Sequence, residues 1–141
     1  MLNPDGVIYG NYRCSLLGYD LNRHWKSPNR YLQPTIYYTK RVMRFMSQER
    51  KIIFFCDLHA HSMQENVFMY GCSYNAINNE SEAKNALARL IPLLMSQLNE
   101  HFSYKYSGFQ MGKRKEGTGR IVVFRKFKIV NSYTCEASFF G

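Results

Sequence analysis

The chain has 141 residues, 45% of them apolar, enough for one globular core and too few for two, and its 21% of charged residues excludes a disorder-type composition. Nineteen Lys and Arg against 10 Asp and Glu give a formal charge of +9, which suits a polyanionic partner without choosing among nucleic acid, acidic lipid and acidic polypeptide. Four cysteines without a C-x-x-C pair, an opening MLNPDGVIYGNYR without a basic or apolar lead, and no apolar run of about 18 residues argue against a zinc ribbon, secretion and a membrane span, and predict a cytoplasmic protein with reduced thiols.

Residues 1–34, rich in Asn, Gly, Asp and Pro, show no helical or alternating period and predict irregular loops, which carry sites more often than packing. From Thr35 to about Arg50, Ile36, Met43 and Met46 alternate with Lys40, Arg41 and Arg44 as an amphipathic helix opened by Pro34 and Thr35. KIIFFCDL predicts a buried strand ending near His59, and NVFMYGCS a second. Leu87, Leu90, Ile91, Leu94 and Leu98 recur at helical spacing between Glu80 and Glu100, with Pro92 placed to kink the helix. Lys113 to Gly119 predicts an exposed basic loop, RIVVFRKF another strand, and SYTCEASFF one more. Helices alternating with strands predict an α/β sheet in a single domain.

Several groups could carry chemistry. His59 and His61 in CDLHAHS face the same side of a strand, but two histidines are short of the three or four ligands zinc requires. Glu136, amid the apolar residues of TCEAS, is a candidate general base, since burial raises a carboxyl pKa; a solvated strand carboxylate is the plainer alternative. Asn22 and Arg23 in GYDLNRHW could together hold a carboxylate, or serve as turn residue and surface charge. Lys113, Arg114 and Lys115, with Arg120, Arg125, Lys126 and Lys128 and nearby phenylalanines, could form a nucleic-acid stripe or a solvated face. EGTGR has neither dinucleotide-loop spacing nor a P-loop ending.

NPDGVIYGNYR, GYDLNRHW, FFCDLHAHS with NVFMYGC, GTGRIVVFRKF and NSYTCEAS, in that order, closely resemble the cytosolic carboxypeptidases, the tubulin-deglutamylating branch of the zinc carboxypeptidases. The resemblance implies a mixed-sheet α/β zinc carboxypeptidase fold. It implies His59 as a zinc ligand, Glu136 as the residue that takes a proton from water and passes it to the leaving amine, and Arg13 as the oxyanion group. It further implies Asn22 and Arg23 at the terminal carboxylate of the substrate. Arg120, sixteen residues before Glu136, falls where the family shapes the pocket for the C-terminal side chain, and a cation there would favour glutamate.

The chain also departs from the family pattern. The other two zinc ligands of the family come from an H-x-x-E motif, and none of His24, His59, His61 or His101 begins one. Residues 1–141 are accordingly expected to form part of a peptidase domain, truncated on its N-terminal side and without the family's closing helix. The resulting expectation is a zinc metallocarboxypeptidase acting on C-terminal or branch-point glutamates of acidic tails such as those of tubulin, inactive as this chain alone. The alternative is a non-catalytic module that binds such tails. A nucleic-acid binder rests on charge alone.

Overall fold

The structure, a computed structural model, describes residues 1–74 and 79–140. The helices are α1 (Pro4–Ile8), α2 (Pro34–Glu49), α3 (Asn79–Leu98) and α4 (Gly119–Phe127), and the strands are β1 (Phe54–His61), β2 (Val67–Tyr70) and β3 (Asn131–Ser138). The strands form a mixed sheet in the order β1-β3-β2. Strand β3 lies in the middle, parallel to β1 and antiparallel to β2.

Register assigns the two faces. Phe55, Asp57, His59 and His61 of β1 stand beside Ser132, Thr134, Glu136 and Ser138 of β3, and Phe68 and Tyr70 of β2 join the same face. On the opposite face, Tyr133 and Met69 pack with Phe102 and Phe109, and Ile91 and Met95 of α3 close over them. The Tyr133 hydroxyl donates to the Ala88 carbonyl at 2.9 Å, so the buried phenol keeps a partner.

Helices α2 and α4 lie on the Asp57 side, where Ile36 and Met43 meet Val122 and Val123 around Trp25 and Leu21, and Phe55 packs against the group. That cluster fills the start of the sheet face. The end of the face, from Asp57 to His61, is left open to a cleft.

The segment RIVVFRKF, expected as a strand, is helix α4. Ile121, Val122, Val123 and Phe124 are all buried, shared between two apolar clusters. A short run apolar on every side carries no period to separate helix from strand, and tertiary packing decides. Lys128, in the left-handed region at φ 59, ends the helix and turns the chain into β3.

Other elements fall close to expectation, with shifts. Strand β1 begins at Phe54 and runs on to His61, beyond the expected end at His59. Residues 1–34 hold a short helix, capped by Asn3 Oδ1 accepting from Gly6 N at 3.2 Å, and a 3-10 turn at Leu21–Arg23. Helix α3 forms over the leucine-rich segment, but Leu87 is 53% and Leu98 86% exposed, while Ala88, Ile91 and Met95 turn inward. Among the described residues no helix is long and apolar enough to cross a membrane.

Candidate active site

Alternation along β1 and β3 brings Asp57, His59, His61 and Glu136 to one cleft of about 1070 Å³. His59 and Glu136 are direct neighbours across the parallel ladder. His59 Nε2 lies 2.8 Å from Asp57 Oδ2, two residues back on the same strand face. That contact, more than the charge itself, raises the imidazole pKa, with burial opposing it. Burial is the main cause that pushes the Glu136 carboxyl up. Asp57 adds to it, and His59, His61 and Lys115 counter it.

The turn Leu21–Arg23 brings Asn22 against this pair. Asp20 Oδ1 accepts from Asn22 N at 3.0 Å, an Asx-type local bond that shapes the turn. Asn22 Nδ2 donates to Asp57 Oδ2 at 3.1 Å and stands 3.1 Å from His59 Nε2, while its Oδ1 accepts from Gly119 N at 2.9 Å. One carboxamide thus joins the turn, β1 and the start of α4. Arg23 Nη1 donates to the Asn22 carbonyl at 3.1 Å and lies 3.8 Å from Asp20 Oδ2.

Arg13 faces the same carboxylate, its Nε 3.8 Å from Asp20 Oδ2, with most of the side chain in solvent. Its backbone is left-handed, at φ 54, an uncommon state for a non-glycine residue. A bridge between Cys14 and Asp20 closes the loop that carries it.

Arg120, near the start of α4, is 3% exposed and still lines the cleft. Its Nη1 donates to the Gly71 carbonyl and lies 3.7 Å from Cys72 Sγ, and its guanidinium carbon is 5.9 Å from the Tyr70 ring centroid. Lys115 belongs to the 3-10 turn Lys113–Lys115, and its Nζ is 4.8 Å from the same ring. Of the three cations in that turn, only Lys115 lines the cleft.

All six residues singled out in the sequence, Arg13, Asn22, Arg23, His59, Arg120 and Glu136, line this one cleft. Asp57 and Tyr70 were not singled out as site residues, and Lys115 only as part of the basic cluster weighed as a nucleic-acid stripe. Asp57 was detectable, since the spacing D-x-H-x-H puts it on the same strand face as both histidines. Tyr70 carried no local signal, and the basic run did not separate Lys115 from its neighbours.

The donor set does not fit a catalytic zinc on its own. Such a site takes three protein ligands and an open position. Here the Nε2 of His59 is bonded to Asp57, and the described residues gather no group of three His, Cys, Asp or Glu that could hold a metal. His61 Nδ1 accepts from the backbone N–H groups of Met63 and Gln64, both at 3.1 Å, so that nitrogen ends β1 rather than facing a metal.

A mixed sheet with α3 on one face, α2 and α4 on the other, and this cleft at one end is the fold of the metallo-carboxypeptidases. The crystal structure of a metallo-carboxypeptidase from Burkholderia cenocepacia superposes with a TM-score of 0.77 at 19% identity, covering 98% of this chain and 34% of that one. By sequence the chain is related along its whole length to the cytosolic carboxypeptidases. Cytosolic carboxypeptidase 2 of Danio rerio is 48% identical over 143 residues, and that of Mus musculus 46% over 143 residues, each alignment taking in 100% of this chain. The chain spans 19% and 16% of the length of these two relatives. No family model matches the chain.

Proposed function

We propose that this chain forms the substrate-gripping and proton-transfer side of a cytoplasmic carboxypeptidase that removes glutamate from the ends or branch points of acidic protein tails, such as those of tubulin. The observation that carries this reading is the convergence of Glu136, His59, Arg13, Asn22 and Arg23 on one cleft. Arg23 and Asn22 would hold the terminal carboxylate, in exchange for the contacts they now make with Asp20 and Asp57. Arg13 would meet the oxyanion as the scissile carbonyl is attacked. Glu136 would take the proton of the attacking water and pass it to the leaving amine, a task that its raised pKa suits. Arg120 would bias the side-chain pocket toward an acidic residue.

Zinc, when bound in this family, polarises the carbonyl and activates water. His59 is the one residue of this chain proposed as its ligand. Because the described residues gather no three-ligand group, a second reading stands beside the first: a module that binds acidic tails without cutting them.

The test is release of free glutamate from a peptide ending in glutamate, measured alongside zinc content. The catalytic reading expects release by the parent protein and a loss of about 10²- to 10⁴-fold in Glu136→Gln with the metal retained. Undiminished turnover in that variant would remove Glu136 from the role. Tight peptide binding with neither metal nor release would favour the binding module.

A further inference from the structure

The face of the sheet turned away from the cleft carries a pair of thiols that the roles above leave unused. In the β1–β3 ladder Cys56 stands beside Tyr133 and Leu58 beside Cys135, so the two cysteines are diagonal neighbours on one face. Both pack against the cluster of Tyr133, Met69, Phe102 and Phe109, and neither is fully buried. Their side chains share a hydrogen bond. Each immediately precedes a residue of the cleft: Asp57 follows Cys56, and Glu136 follows Cys135.

The shared bond makes the two thiols unequal. It is the main cause that lowers the Cys135 thiol, against burial and the Glu136 carboxylate, and the main cause that raises Cys56, with burial adding to it. Thiolate character on Cys135 is thus held beside a thiol that keeps its proton. Cysteines oxidised by peroxides have this make-up: a lowered thiol, partial access and a second thiol within reach. Cys72 is the contrast, 0% exposed and pushed up to about 11, chiefly by burial.

We propose that Cys56 and Cys135 are a reversible oxidation site for hydroperoxides, and that the disulfide they form displaces the cleft residues on the other face. The Cys135 sulfur attacks one oxygen of hydrogen peroxide; an S–O bond forms, the O–O bond breaks and hydroxide leaves, so that Cys135 becomes a sulfenic acid. The Cys56 sulfur then attacks the sulfenic sulfur. An S–S bond forms as the S–O bond breaks, and the Cys56 proton leaves with the hydroxyl as water. Two electrons pass from the thiols to the peroxide. Diagonal neighbours on adjacent strands lie about 7–8 Å apart, while the Cα atoms of a disulfide lie about 5.5–6 Å apart. The bridge must therefore displace β1 against β3, and it does so where Asp57, His59 and Glu136 project from the same two strands. A strained bridge of this kind is readily reduced again, as a switch requires.

The test treats the 141-residue chain with a small excess of hydrogen peroxide and maps the products by mass spectrometry. The expected product is lighter by two hydrogen atoms and yields a Cys56–Cys135 cross-linked peptide that dithiothreitol cleaves. Cys56→Ser, which keeps a hydroxyl donor beside Cys135, should instead accumulate a sulfenic acid on Cys135 that dimedone traps. Iodoacetamide at neutral pH should label Cys135 at least about tenfold faster than Cys72. The displacement is read from Trp25, the sole tryptophan, whose ring meets that of Phe55 edge-on at 5.7 Å. Its emission should shift on oxidation, return with dithiothreitol, and stay constant in Cys135→Ser. A bridge to Cys14 or Cys72, no dimedone adduct in Cys56→Ser, or unchanged Trp25 emission in the bridged chain would overturn the proposal. Circular dichroism of the reduced variants checks that they keep the fold. None of these readouts needs a peptide in the cleft, so the proposal stands or falls apart from the carboxypeptidase reading.

Discussion

Lys40 is 2% exposed, an unusual place for a lysine. The amphipathic pattern of α2 sets it among the polar positions, yet its Nζ reaches inward and donates to the carbonyls of Trp25 and Lys26. Burial, with Lys126 and Arg44 nearby, lowers its pKa from 10.5 to about 8. A neutral amine still has two N–H groups for the two carbonyls, so deprotonation relieves the charge without breaking the bonds. The folded pKa lies below the unfolded one, so the unfolded chain holds more protons between about pH 8 and 10.5. Stability relative to Lys40→Met should therefore rise with pH across that window and stay flat below it, as urea unfolding at several pH values would show. Near pH 7 the variant gains by removing a buried charge and loses by orphaning two carbonyls, at about 1–3 kcal/mol each.

At the scale of elements, α4 shows how a helix can be set by what surrounds it. Gly119 opens the helix against the Trp25 indole, where an added Cβ would come within 2.9 Å of the ring, and its N–H donates to Asn22. Helix propensity alone would favour alanine there. The packing predicts the opposite: Gly119→Ala should cost about 1–3 kcal/mol in urea unfolding and weaken peptide binding by shifting Asn22. Helices α2 and α3 were legible because their apolar residues recur with a period, and strands β1, β2 and β3 because short apolar runs rich in β-formers mark them. Helix α4 was not, because its first six residues, Gly119 to Phe124, are all buried and leave no polar face to mark a period. The six candidate residues were legible through motif order, whereas Asp57 required noticing that strand neighbours two apart share a face. Lys115 and Tyr70, forty-five residues apart, become partners only through the fold.

For the molecule as a whole, the charge of +9 is not spread evenly in its effect. The cleft collects Arg13, Arg23, Lys115 and Arg120 against Asp20, Asp57 and Glu136, and two of those cations are already within 3.8 Å of Asp20. An acidic tail that extends past the cleft would also feel the lysines and arginines outside it. Raising salt from about 50 to 300 mM should then weaken a long acidic peptide several-fold more than a two-residue one, because exposed charges are screened over about 10 Å or less. Equal salt dependence for the two lengths would confine recognition to the cleft.

The central place of β3 bears on how the chain acquires its shape. Among the described residues β1 finds its ladder only on β3, which follows it in the sequence, whereas β2 also bridges Phe102 and Gly108, so β1 has no strand partner until the ribosome has made residues 131–138. The parallel pairing joins Phe54 to Asn131, a long loop to close before any ladder forms. During synthesis the nascent chain must hold β1 unpaired, and Glu136 arrives on the segment that completes the sheet. Folding and assembly of the site are thus one late event, and a chain arrested before β3 would have neither.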